Sequence, residues 1–408
     1  MPRVVITGMG CLSALGSDWP GVSAAFRRGR NAVRRMDAWD RYQDMSTRLG
    51  APIDTFEPPD HWNRKQLRGM GRVSQLAVRA AELALADAGL LGDALLQSGQ
   101  VGVACGSSVG STAAISDFAQ MILTGDSPRL NANSYVRMMP HTTGANIGIF
   151  FGLKGRIIST STACTSGSQG IGLAYEMVRQ GRQVAMIGGG AEELCPSEAM
   201  AFDLLYATSR CNDAPHRAPR PYDAARDGLV IGEGAGMVVL EDMEHALARG
   251  ARIHAEVVGF ATNSDGTHVT RPEASTMQIV MQMALRDAGL DAAAVGYVNG
   301  HGTATEQGDI AETQATHAVF GSRMPISSQK SYLGHTLGAC GALESIFSIE
   351  MMREGWFAPT VNLDAVDPRC GELDYITGDG RELQTAHVMN NNFAFGGVNT
   401  SLIFRRWP

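Results

Sequence analysis

Three segments of this 408-residue chain set reactive side chains among small neighbours. In Ile157-Ile158-Ser159-Thr160-Ser161-Thr162-Ala163-Cys164-Thr165-Ser166-Gly167 a β-branched run turns into an apolar helical pattern from Gln169 to Gln180, and Cys164 stands at the turn. The first N–H groups of a helix lack intrahelical partners and carry about half a positive charge, which lowers a thiol's pKa and favours its thiolate. The same N–H groups can hold the oxyanion formed when that sulfur attacks a thioester. His301 lies in the glycine-flanked run Asn299-Gly300-His301-Gly302-Thr303-Ala304-Thr305, at the C-terminal end of a predicted strand, where α/β folds bind ligands. Lys330 and His335 share Ser327-Ser328-Gln329-Lys330-Ser331-Tyr332-Leu333-Gly334-His335-Thr336-Leu337-Gly338, again a strand leading into a small-residue helix start. Glu344, nine residues past His335 on the following helix, is a candidate partner here, with a solvated helix carboxylate as the alternative.

One thiol and two imidazoles suit thioester chemistry. Neutral imidazoles can donate N–H bonds to a thioester carbonyl and stabilise the enolate left when carbon dioxide departs. Taken singly, Cys164 could equally be a small buried hydrophobe and His301 a turn-forming loop residue. What separates the readings is whether the elements bring the segments together.

A repeat says how they would. Ala84-Leu85-Ala86-Asp87-Ala88-Gly89-Leu90 recurs as Ala284-Leu285-Arg286-Asp287-Ala288-Gly289-Leu290, each copy ending an apolar helical pattern with Gly at the C-cap. A buried strand follows each, at Val101–Gly106 and Val295–Gly300. Further strands read at 3–8, 157–162, 184–188, 236–241, 253–261, 388–394 and 398–404, with helices near 73–88, 165–180, 276–288, 309–319 and 339–353. Strand and helix alternate throughout, which predicts an α/β protein of two duplicated halves, 1–252 with the cysteine and 253–408 with the histidines. A pseudo-twofold axis between the halves would make the Cys164 and His335 segments equivalent and bring them face to face.

Composition bounds the rest. Hydrophobic residues at 44% and charged residues at 18% describe an ordinary globular protein with a large core. No long apolar run or signal-like start is present, so a cytoplasmic location is expected, without membrane insertion. A net charge of −7 argues against nucleic acid as a partner. The seven cysteines and the remaining histidines show no metal-ligand spacing, so no metal is expected. Arg64, Lys65, Arg68 and Arg72 are spaced to share one side of a helix, and Arg27, Arg28, Arg30, Arg34 and Arg35 form a second basic cluster; a solvated face is the plainer reading of both. Val4-Val5-Ile6-Thr7-Gly8-Met9-Gly10 imitates part of a dinucleotide fingerprint but lacks the acidic second strand. Gly232-Glu233-Gly234-Ala235-Gly236 reads as a structural turn before the strand that follows.

The motifs together resemble the elongating β-ketoacyl-acyl-carrier-protein synthases of thiolase fold, synthase II type most closely, over nearly the whole chain. The nucleophile motif is Thr162-Ala163-Cys164-Thr165-Ser166-Gly167, the first histidine motif His301-Gly302-Thr303-Ala304-Thr305, the lysine and second histidine Lys330 and His335, and the C-terminal glycine loop Asn392-Phe393-Ala394-Phe395-Gly396-Gly397-Val398-Asn399. The resemblance implies a layered α-β-α-β-α fold and a decarboxylative Claisen condensation of a malonyl carrier with an acyl chain on Cys164. It also implies an oxyanion hole from the N–H groups of Cys164 and Phe395, contacts from Thr303 and Thr305 to a phosphopantetheine arm, and Phe395 as a gating aromatic. It further implies acyl carrier protein as partner; because a chain of net charge −7 otherwise repels an acidic carrier, the basic helix of Arg64, Lys65, Arg68 and Arg72 is expected to dock it. No cofactor of the enzyme's own is implied, and a homodimer is expected, with a heterodimer of related subunits as the variant. By the same resemblance Val109, where Ile is common, floors the acyl pocket near the dimer interface; medium to long chains are expected, with aryl-polyene chains as an alternative. Departures are Gly300 where Ala is usual, Ala394 where Gly is common and Val398 in place of Thr. A non-catalytic chain-length-factor subunit is the competing reading, and Cys164 argues against it.

Overall fold

The structure, a computed structural model, describes residues 2–408. Two sets of five strands carry it: β1 (Val4–Ser13), β2 (Val101–Gly106), β3 (Ile157–Ser159), β4 (Ala185–Glu192) and β5 (Gly234–Asp242), then β6 (Ala255–Ser264), β7 (Tyr297–Asn299), β8 (Pro325–Ser327), β9 (His387–Phe393) and β10 (Val398–Arg406). Their spatial order is β3-β2-β4-β5-β1 in the first half and β8-β7-β9-β10-β6 in the second, so adding five to each label maps one half onto the other. The two sets join edge to edge where Val4–Ile6 runs antiparallel to Ala255–Val257. Among these ten strands the one next to the outer edge of each half, β2 or β7, pairs in parallel with both neighbours, while the remaining pairs are antiparallel. β4 is buried along its full length, as a strand covered on both faces must be.

The repeat is real in three dimensions. Helices α1 (Arg72–Asp87) and α3 (Ala274–Ala288) lie on the two outer faces and close in the same way. Gly89 and Gly289 adopt φ of +67° and +64°, and the next N–H bonds back from Leu90 to Leu85 at 2.8 Å and from Leu290 to Leu285 at 3.0 Å. Each helix presses on the first strand of its half. A Cβ on Gly8 would stand 2.1 Å from the Ala84 carbonyl, and one on Gly259 would stand 2.6 Å from that of Ala284. The glycine that imitated a dinucleotide fingerprint therefore serves helix packing, and Arg27, Arg34 and Arg35 of the nearby basic cluster are spent on ion pairs with Glu354, Asp54 and Asp40.

Between the sheets lie α2 (Ser166–Arg179) and α5 (Cys340–Glu354), the two helices that begin at the Cys164 and His335 segments. Twelve of the fifteen residues of α5 are buried, including Glu344, as expected of a helix enclosed on all sides. The predicted turn at 232–236 instead joins a short strand, Ile231–Gly232, to the start of β5, where Gly234 and Gly236 let α5 approach.

Three helices between β2 and β3, at Thr112–Thr124, Ala132–Met138 and Thr142–Phe151, were not legible in the sequence. The first buries only Ala114, so it shows no core-facing stripe. The matching interval of the second half holds a single helix, α4 (Glu306–Phe320), which carries the first turn after the His301 loop.

Candidate active site

Cys164 occupies one tight turn, Ala163–Thr165, between β3 and α2. Ala163 takes φ of +52°, and the Ser166 hydroxyl donates to the Ala163 carbonyl at 2.7 Å while accepting from the Thr162 N–H at 3.0 Å. Its counterpart before α5 is the turn Leu337–Ala339, with Leu337 at φ of +43°. The two helix starts cross where only glycine fits: a Cβ on Gly167 would sit 2.9 Å from the Ala342 nitrogen, and one on Gly341 would sit 2.8 Å from that of Ser168. This crossing carries His335 to the cysteine, and His335 Nε2 lies 2.9 Å from Cys164 Sγ.

The thiol is not depressed as the helix-start argument expects. Burial pushes Cys164 up to about 12, outweighing the Lys330 charge and the N–H groups of Phe395 and Cys164 itself, which all favour the thiolate. The resting nucleophile is a protonated thiol, with an imidazole nitrogen in contact to take the proton.

Both histidines are buried and held by their backbones. His335 donates its N–H to the Val230 carbonyl at 2.6 Å and accepts from the Gly232 N–H at 2.9 Å. Its Nδ1 has no partner among the described residues, so no hydrogen bond fixes which nitrogen carries the hydrogen. The His301 and Gly302 N–H groups donate to the two oxygens of buried Glu312 on α4, at 2.5 and 2.7 Å. The rings of His301 and His335 stand perpendicular with centroids 5.1 Å apart, and the donor atoms of Cys164, His301 and His335 all lie within 4.8 Å of one another. Burial, then the Lys330 charge, holds both imidazoles well below the usual histidine range, so both are neutral.

Lys330 is fully buried and pairs with Glu344, Nζ to Oε1, at 2.5 Å. Burial works against its charge, but Cys340 and Glu344 more than offset this and raise it. Asn392 donates to the other Glu344 oxygen at 2.7 Å and approaches His301 Nδ1 at 3.5 Å, which links the ion pair to the first histidine. Sequence reading missed Glu312, Asn392 and Glu192. Glu192, at the end of β4, accepts from the Ser108 N–H at 2.6 Å and the Gly338 N–H at 3.0 Å, tying the two halves beside the cysteine turn. The signal for Glu312 was present: Asp309 and Glu312 fall at i and i+3 early in α4, facing back toward the glycine loop.

A cavity of about 400 Å³ opens from Cys164, His301 and His335 to the surface, lined also by Thr303, Thr305 and Phe395. The Thr303 and Thr305 hydroxyls are 2.9 Å apart, and the Phe395 ring packs at a tilt of 40° against Phe202, with centroids 5.0 Å apart. Val109 does not line this cavity; its N–H faces Glu192 at 3.4 Å. The basic helix is shorter than expected. It spans Arg64–Leu67, with Arg68 as its cap, and leaves Arg64, Lys65 and Arg68 exposed. Arg72 belongs to α1 and is engaged by buried Glu233 at 2.5 Å, so it is a structural partner and not part of the exposed patch. The cause is the Gly69-Met70-Gly71 break, which ends the first helix before Arg72 can join its face.

Comparison with known proteins agrees with this architecture. Two family models match in tandem, Beta-ketoacyl synthase, N-terminal domain, over residues 1–246 and Beta-ketoacyl synthase, C-terminal domain, over residues 254–364. The chain is 37% identical over 412 residues to 3-oxoacyl-[acyl-carrier-protein] synthase 2 of Vibrio cholerae, covering 99% of each. It superposes on the crystal structure of a beta-ketoacyl synthase from Burkholderia phymatum with a TM-score of 0.99 and 60% identity, covering both chains fully. A ketosynthase solved with its type II polyketide acyl carrier protein, AntDE:AntF, gives a TM-score of 0.88 at 28% identity, again over both full chains. The duplicated sheet order, the crossed helix starts and these matches along the whole length have one common account, which is that the chain belongs to the β-ketoacyl synthase family of condensing enzymes.

Proposed function

We propose that the chain elongates acyl groups carried on acyl carrier protein by decarboxylative condensation with a malonyl carrier. The observation that carries this is the 2.9 Å contact of His335 Nε2 with Cys164 Sγ at the head of a buried helix, with neutral His301 in the same cavity. In the first half-reaction the Cys164 sulfur bonds to the thioester carbon, the bond to the carrier sulfur breaks, and the thiol proton passes through His335 Nε2 to the departing carrier thiol. In the second, the malonyl C–C bond to its carboxylate breaks, carbon dioxide leaves, and the electron pair becomes an enolate whose oxygen takes N–H bonds from His301 and from His335, the latter in the tautomer with its hydrogen on Nε2, which its unpartnered Nδ1 permits. The enolate carbon then bonds to the acyl carbon, the Cys164 C–S bond breaks, and the thiolate recovers a proton from solvent. The N–H groups of Cys164 and Phe395 hold the oxyanion at each tetrahedral stage. Lys330, kept charged by Glu344, biases both imidazoles to the neutral form. No cofactor of the enzyme's own enters.

Thr303 and Thr305 line the mouth of the cavity where a phosphopantetheine arm would pass, and Phe395 stands where a gate would. Arg64, Lys65 and Arg68 form the exposed cationic surface for an acidic carrier. The chain works in the cytoplasm as a homodimer, and exposed apolar residues of the inserted helices support the dimer. A non-catalytic partner subunit is disfavoured by the intact thiol and histidine pair.

The test is intact-protein mass after incubation with acyl carrier. An adduct of the acyl mass appears on the parent and not on Cys164→Ala; an adduct that persists in the variant contradicts the nucleophile.

A further inference from the structure

Gly300 is the departure closest to the chemistry, and Tyr222 explains it. Tyr222 is fully buried, holds φ of +68°, and has a hydroxyl without a partner among the described residues. Left-handed backbone at an aromatic residue and an orphaned buried hydroxyl are both unfavourable, and they coincide here. The phenol end lies against the two glycines that flank His301. A Cβ on Gly300 would stand 2.1 Å from the Tyr222 hydroxyl oxygen, and one on Gly302 would stand 2.5 Å from it.

Both partners hang from α4. Asp309 accepts from the Tyr222 N–H at 2.7 Å and from the Ala304 N–H at 3.1 Å, while Glu312 accepts from His301 and Gly302. The tyrosine and the histidine loop thus share one rigid support, and the phenol oxygen occupies the volume that an alanine methyl at 300 would take.

We infer that Tyr222 is a positioning residue for His301 and that Tyr222 and Gly300 form a matched pair, the phenol oxygen standing in for the methyl. The inference rests on the proposed role of His301 in condensation for its kinetic consequence, and on geometry alone for the pairing.

The geometry separates the two glycines. Next to the hydroxyl, the nearest atoms to a Cβ on Gly300 are Glu312 Oε1 at 3.1 Å and Ile326 Cδ1 at 3.3 Å, so removing the hydroxyl makes room. At Gly302 the Ser328 Cβ and the Tyr222 Cζ, both at 2.7 Å, remain in the way. The experiment compares Gly300→Ala and Gly302→Ala, each with and without Tyr222→Phe. Acylation of Cys164, condensation of the preformed acyl-enzyme with malonyl carrier, and thermal midpoint are read in each. Gly300→Ala should slow condensation about tenfold or more while acylation stays within about threefold of the parent. Adding Tyr222→Phe should restore condensation and midpoint to within about threefold and a few degrees of Tyr222→Phe alone, a non-additive result. Gly302→Ala should not be restored. If Gly300→Ala does not fold, the double variant carries the test by folding and condensing. A Gly300→Ala enzyme equal to the parent, a double variant no better than Gly300→Ala, or equal rescue of both glycines overturns the pairing. His301→Ala is run alongside: if it condenses at the parental rate, the reading of His301 fails, and the midpoints alone decide the pair.

Discussion

A thiol pushed up to about 12 attacks slowly until a base takes its proton, and the residue in contact with it is His335, not His301. Spacing in the sequence treats the two histidines alike; the distances divide their work. His335→Ala should therefore slow both acylation of Cys164 and condensation, by about a hundredfold each, whereas His301→Ala should spare acylation and slow condensation by a similar factor. Rapid-quench measurement of each half-reaction checks this, and equal loss of both in both variants contradicts it. Because burial and Lys330 lower both imidazoles, condensation of preformed acyl-enzyme should stay flat as the pH falls through 6.5. A titration centred near 6.5 would count against neutral, buried imidazoles. Cys164, His301, Lys330 and His335 were legible because small neighbours and helix starts surround them. Asn392 and Glu192 were not, since their partners come from distant strands and no local pattern points to them.

At the scale of elements, the strands and the five principal helices were readable because periodicity and glycine caps mark them, and the two helix starts could be matched from their shared small-residue layout. The basic helix was misread at its end, where glycines outweigh charge spacing. Charge reversal at Arg64, Lys65 and Arg68 should raise KM for carrier-bound substrate several-fold, with a flatter salt dependence and unchanged stability. Arg72→Ala should leave KM alone and lower unfolding free energy by about 2 kcal/mol, because Glu233 is left buried without its cation. Steady-state kinetics and urea denaturation on both variants separate docking from structure; a KM effect of Arg72→Ala without loss of stability would return it to the docking surface. The inserted helices escaped reading for the reason that makes them interesting: their apolar residues face outward.

Over the whole molecule, those outward residues concentrate one feature. Ile122, Leu123, Tyr135, Val136, Ile149 and Ile157 are exposed on the inserted helices and on β3, the edge strand of the first half. Sedimentation equilibrium should find a dimer that Leu123→Glu with Ile149→Glu shifts toward monomer, while a monomeric parent at micromolar concentration would remove the homodimer reading. No helix among the described residues is long and apolar enough to cross a membrane. Stability should also carry the signature of buried carboxyls. Burial raises Glu312 to about 8, against the two N–H groups it accepts, so the folded chain binds more protons than the unfolded one between the ordinary glutamate value and 8. The stabilisation linked to this group is complete below about 4.5 and is lost as the pH rises through 8, a slope that denaturant titrations of the parent and Glu312→Gln can compare.

The most direct test of condensation on Cys164 is a chase followed by intact mass and peptide mapping. The parent is first acylated from acyl carrier, then given malonyl carrier. The acyl mass should sit on the peptide containing Cys164, persist without malonyl carrier, and disappear on its addition with one equivalent of carbon dioxide and a 3-oxoacyl carrier two carbons longer. An acyl mass on another peptide, or its loss to water with no lengthened carrier, would contradict the account.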